Sequence, residues 1–203
     1  MKIDVYVTED GITTLGPHRR FGLWVQGCNR DCKGCIAKRS HDPDKGEWME
    51  VSLLAWRIIS SDSEGITVSG GEPFLQSEAL CALIQQIKEK RDIGVIIYTG
   101  YRVEELSEVP FADKLLGMTD LLIDGPYVEE LDDGKSLRGS SNQRVILLTD
   151  RYAEYASLYG TGPRKTEIFY HENGFHMVGL PNLALPKRNL EEEKQHKKGI
   201  NHE

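Results

Sequence analysis

The 203-residue chain lacks several features that would assign it to a broad class of protein. No stretch approaches the roughly 18 consecutive apolar residues of a membrane-spanning helix, and Asp4 stands where a signal peptide would carry an apolar run. Basic residues are too few for a general nucleic-acid binder, since 25 Lys and Arg against 32 Asp and Glu leave a net charge of −7. We therefore expect a cytoplasmic protein whose partner is neither a membrane nor a nucleic acid.

Cysteine is also scarce, and its distribution excludes a disulfide-stabilised protein. Three of the four cysteines, Cys28, Cys32 and Cys35, fall within eight residues, and Cys81 stands 46 positions further along. Small disulfide-rich domains instead spread their cysteines through the sequence. A length of 203 residues with 39% hydrophobic residues suffices for one compact domain plus an extension, and is too short for two full-sized enzymatic domains.

Short apolar runs alternate with helix-like patterns through the first part of the chain. The patterns predict strands over Lys2–Val7, Phe21–Gln26, Ile66–Ser69, Gly94–Tyr98, Asp120–Ile123 and Arg144–Leu148. They predict helices over Val51–Ile59, from an N-cap at Ser77 to a basic last turn at Arg91, and over Val103–Leu116. Such alternation is typical of a parallel sheet with right-handed crossovers and both faces covered. We therefore expect an α/β domain over residues 1–150.

The sequence changes character after residue 150. Runs over Glu167–Tyr170 and Phe175–Val178 flank a turn containing Asn173-Gly174, which predicts a β-hairpin within an extension over residues 151–186. The alternating apolar residues of the two runs are Ile168, Tyr170, Phe175 and Met177. We expect them to be half-buried against the sheet edge; covering the site and docking a partner are the alternatives. Residues 187–203 are highly charged and are predicted to be disordered.

The cysteine-rich loop has the spacing C-x3-C-x2-C over Cys28, Cys32 and Cys35. Three thiolates at this spacing can hold three irons of a cubane cluster and leave the fourth iron open to a substrate. Two alternatives remain at this point, namely a zinc site with His41 as the nearest further ligand and an electron-transfer cluster completed by Cys81. Cys81 lies on the apolar stripe of a predicted helix, where a thiol is typically a small buried hydrophobic side chain.

A second motif, Ser69-Gly70-Gly71-Glu72-Pro73, follows directly on a predicted strand. Ligands of α/β folds bind at the carboxyl ends of strands, so this position suits a binding site. Gly70 and Gly71 let a polar ligand approach the backbone closely, and the Glu72 carboxylate can accept hydrogen bonds from an ammonium group. A plain tight turn is the alternative interpretation of the glycine pair.

Together the two motifs resemble those of the radical S-adenosylmethionine (SAM) superfamily. This resemblance implies a partial, incomplete parallel β/α barrel, here with a C-terminal β-hairpin extension. It also implies that Cys28, Cys32 and Cys35 bind a [4Fe-4S] cluster whose open iron is chelated by the amine and carboxylate of SAM. The residues that the resemblance places around SAM are Gly34, Cys35, Ile36, Gly70, Gly71, Glu72, Thr99 and Asp124.

Within that superfamily the chain most resembles the glycyl-radical-enzyme activases, and among them the family of anaerobic ribonucleoside-triphosphate reductase-activating proteins. The resemblance covers about residues 1–150 and is carried by Gln26-Gly27-Cys28, Tyr98-Thr99-Gly100-Tyr101, Asp120–Tyr127 and Arg138–Arg144. It implies reductive cleavage of SAM to methionine and a 5′-deoxyadenosyl radical. That radical would take a hydrogen atom from a glycine Cα of a glycyl radical enzyme, such as the large subunit of an anaerobic ribonucleotide reductase.

Several polar residues of this region have two interpretations. Asp124 either contacts the ribose or methionyl group or caps a turn. Ser140, Ser141 and Asn142 either close over the cofactor or meet the partner's glycine loop, and the alternative is a structural turn capped by Asn142. Tyr127 is expected to pack rather than to react. No residue is assigned as catalytic, because the cluster and SAM generate the radical and no acid–base pair is needed.

A basic window surrounds the cysteines. The stretch Arg19–Arg39 contains six basic residues and one acid, a local net charge of +5 in an acidic chain. We expect this charge to stabilise an anionic cluster and to attract an acidic electron donor of the flavodoxin or ferredoxin type. An ordinary solvated loop is the alternative.

The chain departs from the resembled family in two respects that leave its substrate open. One is the turn Gly16-Pro17-His18-Arg19-Arg20, where such activases commonly have a glycine-proline-glycine turn, and the other is the length of the chain. The chain continues some fifty residues beyond the strand that ends at Leu148. One alternative is therefore a radical SAM enzyme that modifies a peptide or a small molecule, and another is a non-catalytic iron–sulfur or zinc module. His171 and His176 are candidate metal ligands of the extension, without neighbouring cysteines to support them.

Overall fold

A computed structural model describes residues 1–43, 45–172 and 174–179 of the chain. Within these residues the strands are β1 Lys2–Ile12, β2 Arg20–Val25, β3 Glu47–Glu50, β4 Gly65–Gly70, β5 Gly94–Tyr98, β6 Leu121–Asp124, β7 Arg144–Leu147, β8 Thr166–His171 and β9 Gly174–Gly179. The α-helices are α1 Val51–Ile59, α2 Ser77–Lys88 and α3 Ala112–Leu116. The 3₁₀ helices are Lys38–Ser40, Pro73–Gln76, Val103–Glu108, Glu129–Leu131 and Asp150–Leu158. None of the described helices has the length and apolar character needed to cross a membrane.

Seven strands form one open, largely parallel sheet in the order β3-β1-β2-β4-β5-β6-β7, and β8 and β9 form a separate hairpin. The central strands β2, β4, β5 and β6 are parallel, which confirms the predicted α/β class. Strands β1 and β3 on one side and β7 on the other are antiparallel to their neighbours. Strand β7 runs antiparallel because no helical crossover separates it from β6, only a loop with one short 3₁₀ helix.

The helices cover one face of the sheet and share its main hydrophobic core. Helix α1 buries Val51, Leu54, Ala55 and Ile58, a spacing that places all four on one side of the helix. Helix α2 buries a similar stripe that includes Cys81, whose side chain is 1% exposed. The prediction that Cys81 is a core residue is thus confirmed.

Two local predictions are wrong. Ser77 does not cap α2, because the 3₁₀ helix before it already winds the chain and Gln76 takes the capping position; the Ser77 hydroxyl instead donates to the carbonyl of Phe74. The helix expected over Val103–Leu116 is divided at Pro110, which has no amide hydrogen and disfavours helical backbone in the residue before it. The strand β3, which the alternation did not predict, pairs with β1 and buries only Met49.

On the opposite face of the sheet, the guanidinium of Arg20 is completely buried. Its five hydrogen bonds go to the carbonyls of Pro17, Ile66 and Gly94 and to the hydroxyls of Thr67 and Tyr152. Burial lowers the pKa of the Arg20 guanidinium, and the contact with Tyr152 opposes that effect. The side chain therefore joins β2, β4 and β5 near their amino ends and connects them to the extension.

The extension packs on this same face. Tyr152 is 3% exposed and packs with Ile96, Leu121 and Ile123 of the sheet. In the hairpin, Val178 is 1% exposed and packs against the end of β1 and the turn after it. The extension is thus part of the same packed unit, although the predicted division at residue 150 stays a prediction.

The hairpin presents the opposite face from the one expected. The four residues predicted to be half-buried are exposed by 41–82%: Ile168, Tyr170, Phe175 and Met177. The residues that face inward are the other set of alternating residues in these strands. Among them, Glu167 accepts hydrogen bonds from the backbone and side chain of Thr13 and from the backbone of Thr14. Alternation predicts that one face is buried but cannot say which face, since a polar side chain with partners can also face inward. Of the predicted turn, Asn173 lies outside the described residues, as do the end of the extension and the tail 187–203.

We predict that Tyr152→Phe lowers the free energy of unfolding by about 2 kcal/mol, because it removes a hydroxyl that accepts a hydrogen bond from a buried guanidinium. Urea denaturation of the purified protein would measure this. Tyr155→Phe is the matched control, since the Tyr155 hydroxyl bonds to exposed His18 and its loss should change stability by less than about 0.5 kcal/mol. Equal effects of the two substitutions would contradict the role assigned to Arg20.

Candidate functional site

A cavity of about 360 Å³ lies where the parallel strands end. Its walls come from the loops that follow β2, β4, β5 and β6, together with one residue of the extension. The lining residues include Cys28, Arg30, Cys32, Gly34, Cys35, Ile36, His41, Gly70, Gly71, Glu72, Tyr98, Thr99, Gly100, Gly125, Tyr127, Asp132, Gly139, Gln143 and Arg164. The two sequence motifs, 34 positions apart from Cys35 to Ser69, thus meet at one cavity.

The cysteine loop runs from the end of β2 to the 3₁₀ helix Lys38–Ser40. It is closed by backbone hydrogen bonds from Gly27 to Ser40 (2.8 Å) and from Cys28 to His41 (3.0 Å). All three thiols are partly exposed and line the cavity. Burial raises the pKa of the Cys28 and Cys35 thiols, so metal binding must displace their protons. Within the described residues, no three Cys, His, Asp or Glu side chains already surround a common metal position.

His41 lies beside this loop, with its Nε2 atom 3.3 Å from the sulfur of Cys35. Burial lowers the pKa of the His41 imidazole, which favours the neutral ring that a metal ligand requires. The position suits the zinc alternative, in which His41 would be a further ligand. It equally suits a hydrogen bond from the ring to the sulfur of a metal-bound Cys35.

The glycine pair is required by close backbone packing. A Cβ atom on Gly71 would lie 2.1 Å from the carbonyl oxygen of Gly27, and one on Gly70 would lie 2.6 Å from backbone atoms of Val25. Gly70 also adopts a φ of +102°, which side chains disfavour. The motif therefore has a structural role in holding the β4 end against the cysteine loop, and both glycines also line the cavity.

Glu72 is 1% exposed, and its carboxylate joins two strand ends. It accepts hydrogen bonds from the Thr99 hydroxyl (2.7 Å), the Gly100 amide (2.8 Å) and the Phe74 amide (3.0 Å). Burial raises the pKa of the Glu72 carboxyl, and these three donors oppose that effect. The geometry gives Glu72 a positioning role, because it fixes the loops after β4 and β5 relative to each other.

The predicted SAM contacts divide into two groups. Seven of the eight line the cavity: Gly34, Cys35, Ile36, Gly70, Gly71, Glu72 and Thr99. Asp124 is fully buried beside the cavity, where it accepts hydrogen bonds from the Val103 amide (2.8 Å) and from the Arg144 guanidinium. This arrangement favours the capping interpretation of Asp124, and its neighbour Gly125 lines the cavity instead. The SAM contacts themselves stay predictions.

The loop before β7 is held mainly by its own hydrogen bonds. The Ser140 hydroxyl accepts from the Val128 amide (3.1 Å), and the Asn142 amide donates to the Pro126 carbonyl (2.8 Å). Gln143 accepts from the Gly139 and Ser140 amides and donates to the Gly125 carbonyl. These contacts favour the structural interpretation of Ser140 and Asn142. The loop nevertheless presents Tyr127, Gly139 and Gln143 to the cavity.

Most of the basic window is neutralised by acids, four of them from elsewhere in the fold and one, Asp31, from the window itself. Lys33 pairs with Glu129 and Glu130, Lys38 with Asp31, Arg30 with Glu105 and Arg19 with Asp10, while Arg20 is buried. Arg39 is exposed and has no ion pair with a described residue. The predicted local charge of +5 is therefore not displayed as a free basic surface.

Three residues that line the cavity were not predicted to belong to the site: Arg30, Asp132 and Arg164. Arg30 stacks on Tyr101 with its guanidinium 4.0 Å from the ring centre, and Asp132 pairs with Arg164. The Nε atoms of Arg30 and Arg164 and the hydroxyl of Tyr98 are buried without a hydrogen-bond partner in the described protein. Arg30 could have been found from its place in the cysteine loop. Arg164 carries no sequence signal, since it belongs to the extension.

The site fits an iron–sulfur cluster with a polar organic cofactor. Three thiols on one loop supply three protein ligands, and the cavity next to them is large enough for a small molecule. Unpartnered buried donors around that cavity are suited to the polar groups of such a molecule.

Comparisons with known proteins agree with this geometry. Residues 14–146 match the family model described as a 4Fe-4S single cluster domain. The chain is also similar to anaerobic ribonucleoside-triphosphate reductase-activating proteins. Identity is 30% over 141 residues with that of Enterobacteria phage T4 (66% of this chain and 88% of the relative) and 33% over 140 residues with that of Haemophilus influenzae (64% and 88%). It is 34% over 143 residues with that of Vibrio cholerae (66% and 91%). The family match favours a cluster over zinc.

We predict that Cys28→Ala, Cys32→Ala and Cys35→Ala each abolish stable iron binding after anaerobic reconstitution, because the loop then offers only two thiolates. Iron and sulfide analysis would measure this. Cys81→Ala is the matched control and should retain the iron of the wild-type protein, since Cys81 is buried in the core. Loss of iron in the Cys81 variant alone would contradict the assignment of ligands.

Proposed function

This chain belongs to the family of anaerobic ribonucleoside-triphosphate reductase-activating proteins, and we propose that it activates such a reductase or a related glycyl radical enzyme by radical SAM chemistry. The observation that carries the proposal is the meeting of the three thiols and the Gly70-Gly71-Glu72 motif at one cavity. When bound there, a [4Fe-4S] cluster and SAM would supply a 5′-deoxyadenosyl radical that removes a hydrogen atom from a partner's glycine Cα.

In this proposal, the protein's own residues bind and orient the cluster and SAM. Cys28, Cys32 and Cys35 would ligate the cluster, and the backbone of Gly70 and Gly71 would meet the methionyl amine of SAM. Buried Glu72 holds the loops after β4 and β5 in place through Thr99 and the Gly100 amide. Ile36 is 52% exposed at the cavity, where its apolar side chain would exclude water from one side of the ligand.

The proposal includes the fold type. The parallel series β2, β4, β5, β6 in an open sheet, with the site at the carboxyl ends of its strands, supports a partial β/α barrel of the radical SAM type. Location in the cytoplasm stays a prediction from the sequence.

The electron donor is proposed to be a flavodoxin or a ferredoxin-type protein. Two observations support this proposal. Reduction of a cluster needs a one-electron donor, and Arg39 places an exposed positive charge next to the cysteine loop. Because the other basic residues of the window are paired or buried, the expected contact is smaller than the sequence alone indicated.

A second candidate function keeps the chemistry and changes the substrate to a peptide or a small molecule. The observation that favours it is the extension, which lies beyond the matched residues 14–146 and contributes Arg164 to the cavity. The third candidate is a non-catalytic iron–sulfur or zinc module, and the contact between His41 and Cys35 is its support.

We predict that the anaerobically reconstituted, dithionite-reduced protein converts SAM to methionine and 5′-deoxyadenosine, and that Cys32→Ala abolishes this conversion. Chromatography of the products would measure it, with Cys81→Ala as the active control. A protein that holds its cluster but never cleaves SAM would contradict the radical SAM proposal.

Mixing the reduced protein and SAM with the anaerobic ribonucleotide reductase of the same organism should generate a glycyl radical, seen as a doublet in the electron paramagnetic resonance spectrum. Cleavage of SAM without a doublet, with every glycyl radical enzyme of that organism, would favour the second candidate.

We predict that reduction by flavodoxin slows with increasing salt and that Arg39→Gln slows it by about two- to fivefold, because an exposed charge mainly affects association. Stopped-flow absorbance of the cluster would measure the rate. Lys33→Gln is the control with a smaller expected effect, since Lys33 is already paired with two glutamates. A rate insensitive to salt and to both substitutions would exclude this docking surface.

A further inference from the structure

The extension is joined to the loop before β7 by a series of backbone hydrogen bonds. The Ser136 amide donates to the Gly162 carbonyl (2.7 Å), the Gly160 amide to the Ser136 carbonyl (3.2 Å) and the Arg164 amide to the Gly134 carbonyl (3.0 Å). These bonds fix the Arg164 backbone independently of its side chain. The extension is therefore a fixed part of the wall around the cavity.

The Arg164 side chain is 4% exposed, and it lines the same cavity as the three cysteines. Its Nη2 atom pairs with Asp132, and its Nη1 atom reaches the Gly139 carbonyl at 3.5 Å. Its Nε atom is buried without a partner in the described protein. A buried N–H donor without an acceptor is costly, so this atom is suited to an acceptor on a ligand.

Asp132 supplies the complementary group. Its Oδ1 atom accepts hydrogen bonds from Arg164 and from the Gly134 amide (3.0 Å). Its Oδ2 atom has only a long contact with the Tyr127 hydroxyl, at 3.4 Å, and so keeps capacity for a further donor. Nearby Gln143 cannot accept from a further donor in the same way, because its Oε1 atom already accepts hydrogen bonds from the Gly139 and Ser140 amides.

We propose that the Asp132–Arg164 pair binds the nucleoside part of SAM. This inference rests on the proposed function. Under the proposed function the methionyl amine and carboxylate are engaged at the iron, which leaves the ribose hydroxyls and the adenine edge as the hydrogen-bonding groups of the cofactor. Both present a donor beside an acceptor, which matches one carboxylate oxygen and one guanidinium N–H.

The pair also suits the charge of this ligand. SAM carries a positive sulfonium, and an unpaired guanidinium in the same cavity would repel it. Because Arg164 is neutralised by Asp132, the pair offers directional hydrogen bonds with little net charge. The extension, outside the matched residues 14–146, thereby becomes a specificity element of the cofactor site.

The test uses the full, cluster-loaded chain with Asp132→Asn, Arg164→Gln and Arg164→Lys. Lys165→Gln is the matched control, since it removes one positive charge from the adjacent, exposed residue that does not line this cavity. Iron content and thermal unfolding are measured first for every variant. The bonds that fix the Arg164 backbone should keep the variants folded and loaded with iron.

Binding is then measured by calorimetry with 5′-deoxyadenosine, which needs no turnover, and with SAM. We expect Asp132→Asn and Arg164→Gln to weaken both by about 10- to 100-fold, with partial recovery in Arg164→Lys and no change in Lys165→Gln. For SAM cleavage, KM should rise while kcat at saturating SAM stays near the wild-type value.

Repeating the calorimetry with 5′-deoxyinosine separates the two parts of the nucleoside. A loss of affinity in Asp132→Asn that persists with the inosine analogue assigns the pair to the ribose, and one that disappears assigns it to the adenine edge. Either result supports the proposal.

Affinity within twofold of wild type in both Asp132→Asn and Arg164→Gln would overturn the inference, as would an unchanged KM with a lowered kcat. Failure of this inference can be distinguished from failure of the proposed function. If wild-type protein cleaves SAM while these variants bind normally, only the inference fails; if wild-type protein binds neither nucleoside nor SAM, the proposed function fails with it.

Discussion

The buried guanidinium of Arg20 is the interaction on which both the sheet and the extension depend. A charged side chain with no exposure is tolerated only when its donors are satisfied, and here carbonyl and hydroxyl oxygens satisfy them. Three of these acceptors lie in the neighbouring strands, Ile66 and Thr67 in β4 and Gly94 in β5. The strands β4 and β5 therefore cannot shift relative to β2 without leaving a buried charge unpaired. The space for this contact comes from Gly65 and Gly94, where a Cβ would lie within 2.3 Å of Arg20 and within 2.0 Å of Tyr152.

That constraint at the amino ends determines the geometry at the carboxyl ends. With β2, β4 and β5 in register, the cysteine loop, the glycine pair and Thr99 reach the same cavity. Glu72 makes a second connection there, since its buried carboxylate joins the loops after β4 and β5. The hydroxyl of Tyr152 extends the Arg20 network into the extension, which in turn carries Arg164 to the cavity wall. Arg164 itself is fixed at the cavity wall by backbone hydrogen bonds between its own segment and the loop before β7.

Much of this could be predicted from the sequence, and the failures have specific causes. The C-x3-C-x2-C spacing and the Gly-Gly-Glu motif indicated the site because chemistry and close packing restrict the residues allowed there. The alternation of strand and helix patterns indicated the parallel strands, and two strand-like runs around a turn indicated the hairpin. Within those runs, apolar residues alternate along the strand, and this alternation indicated that one face is buried. It did not indicate which hairpin face is buried, because inward-facing Glu167 is satisfied by Thr13 and Thr14, which lie more than 150 positions away. For Asp124 the sequence left a ligand contact and a capping role open, and its hydrogen bonds with Arg144 and the Val103 amide favour the capping role.

The sequence by itself determined the α/β class, the positions of most strands along the chain, the loop that carries three cysteines and the core position of Cys81. These follow from local spacing and from residue types that few other roles accept. Only the tertiary structure decided that the basic window is neutralised, that Glu72 positions two loops, and that Arg164 and Asp132 belong to the cavity. The physical reason is that ion pairs and buried hydrogen bonds join residues far apart in sequence, and no local pattern records which distant partner satisfies a given group.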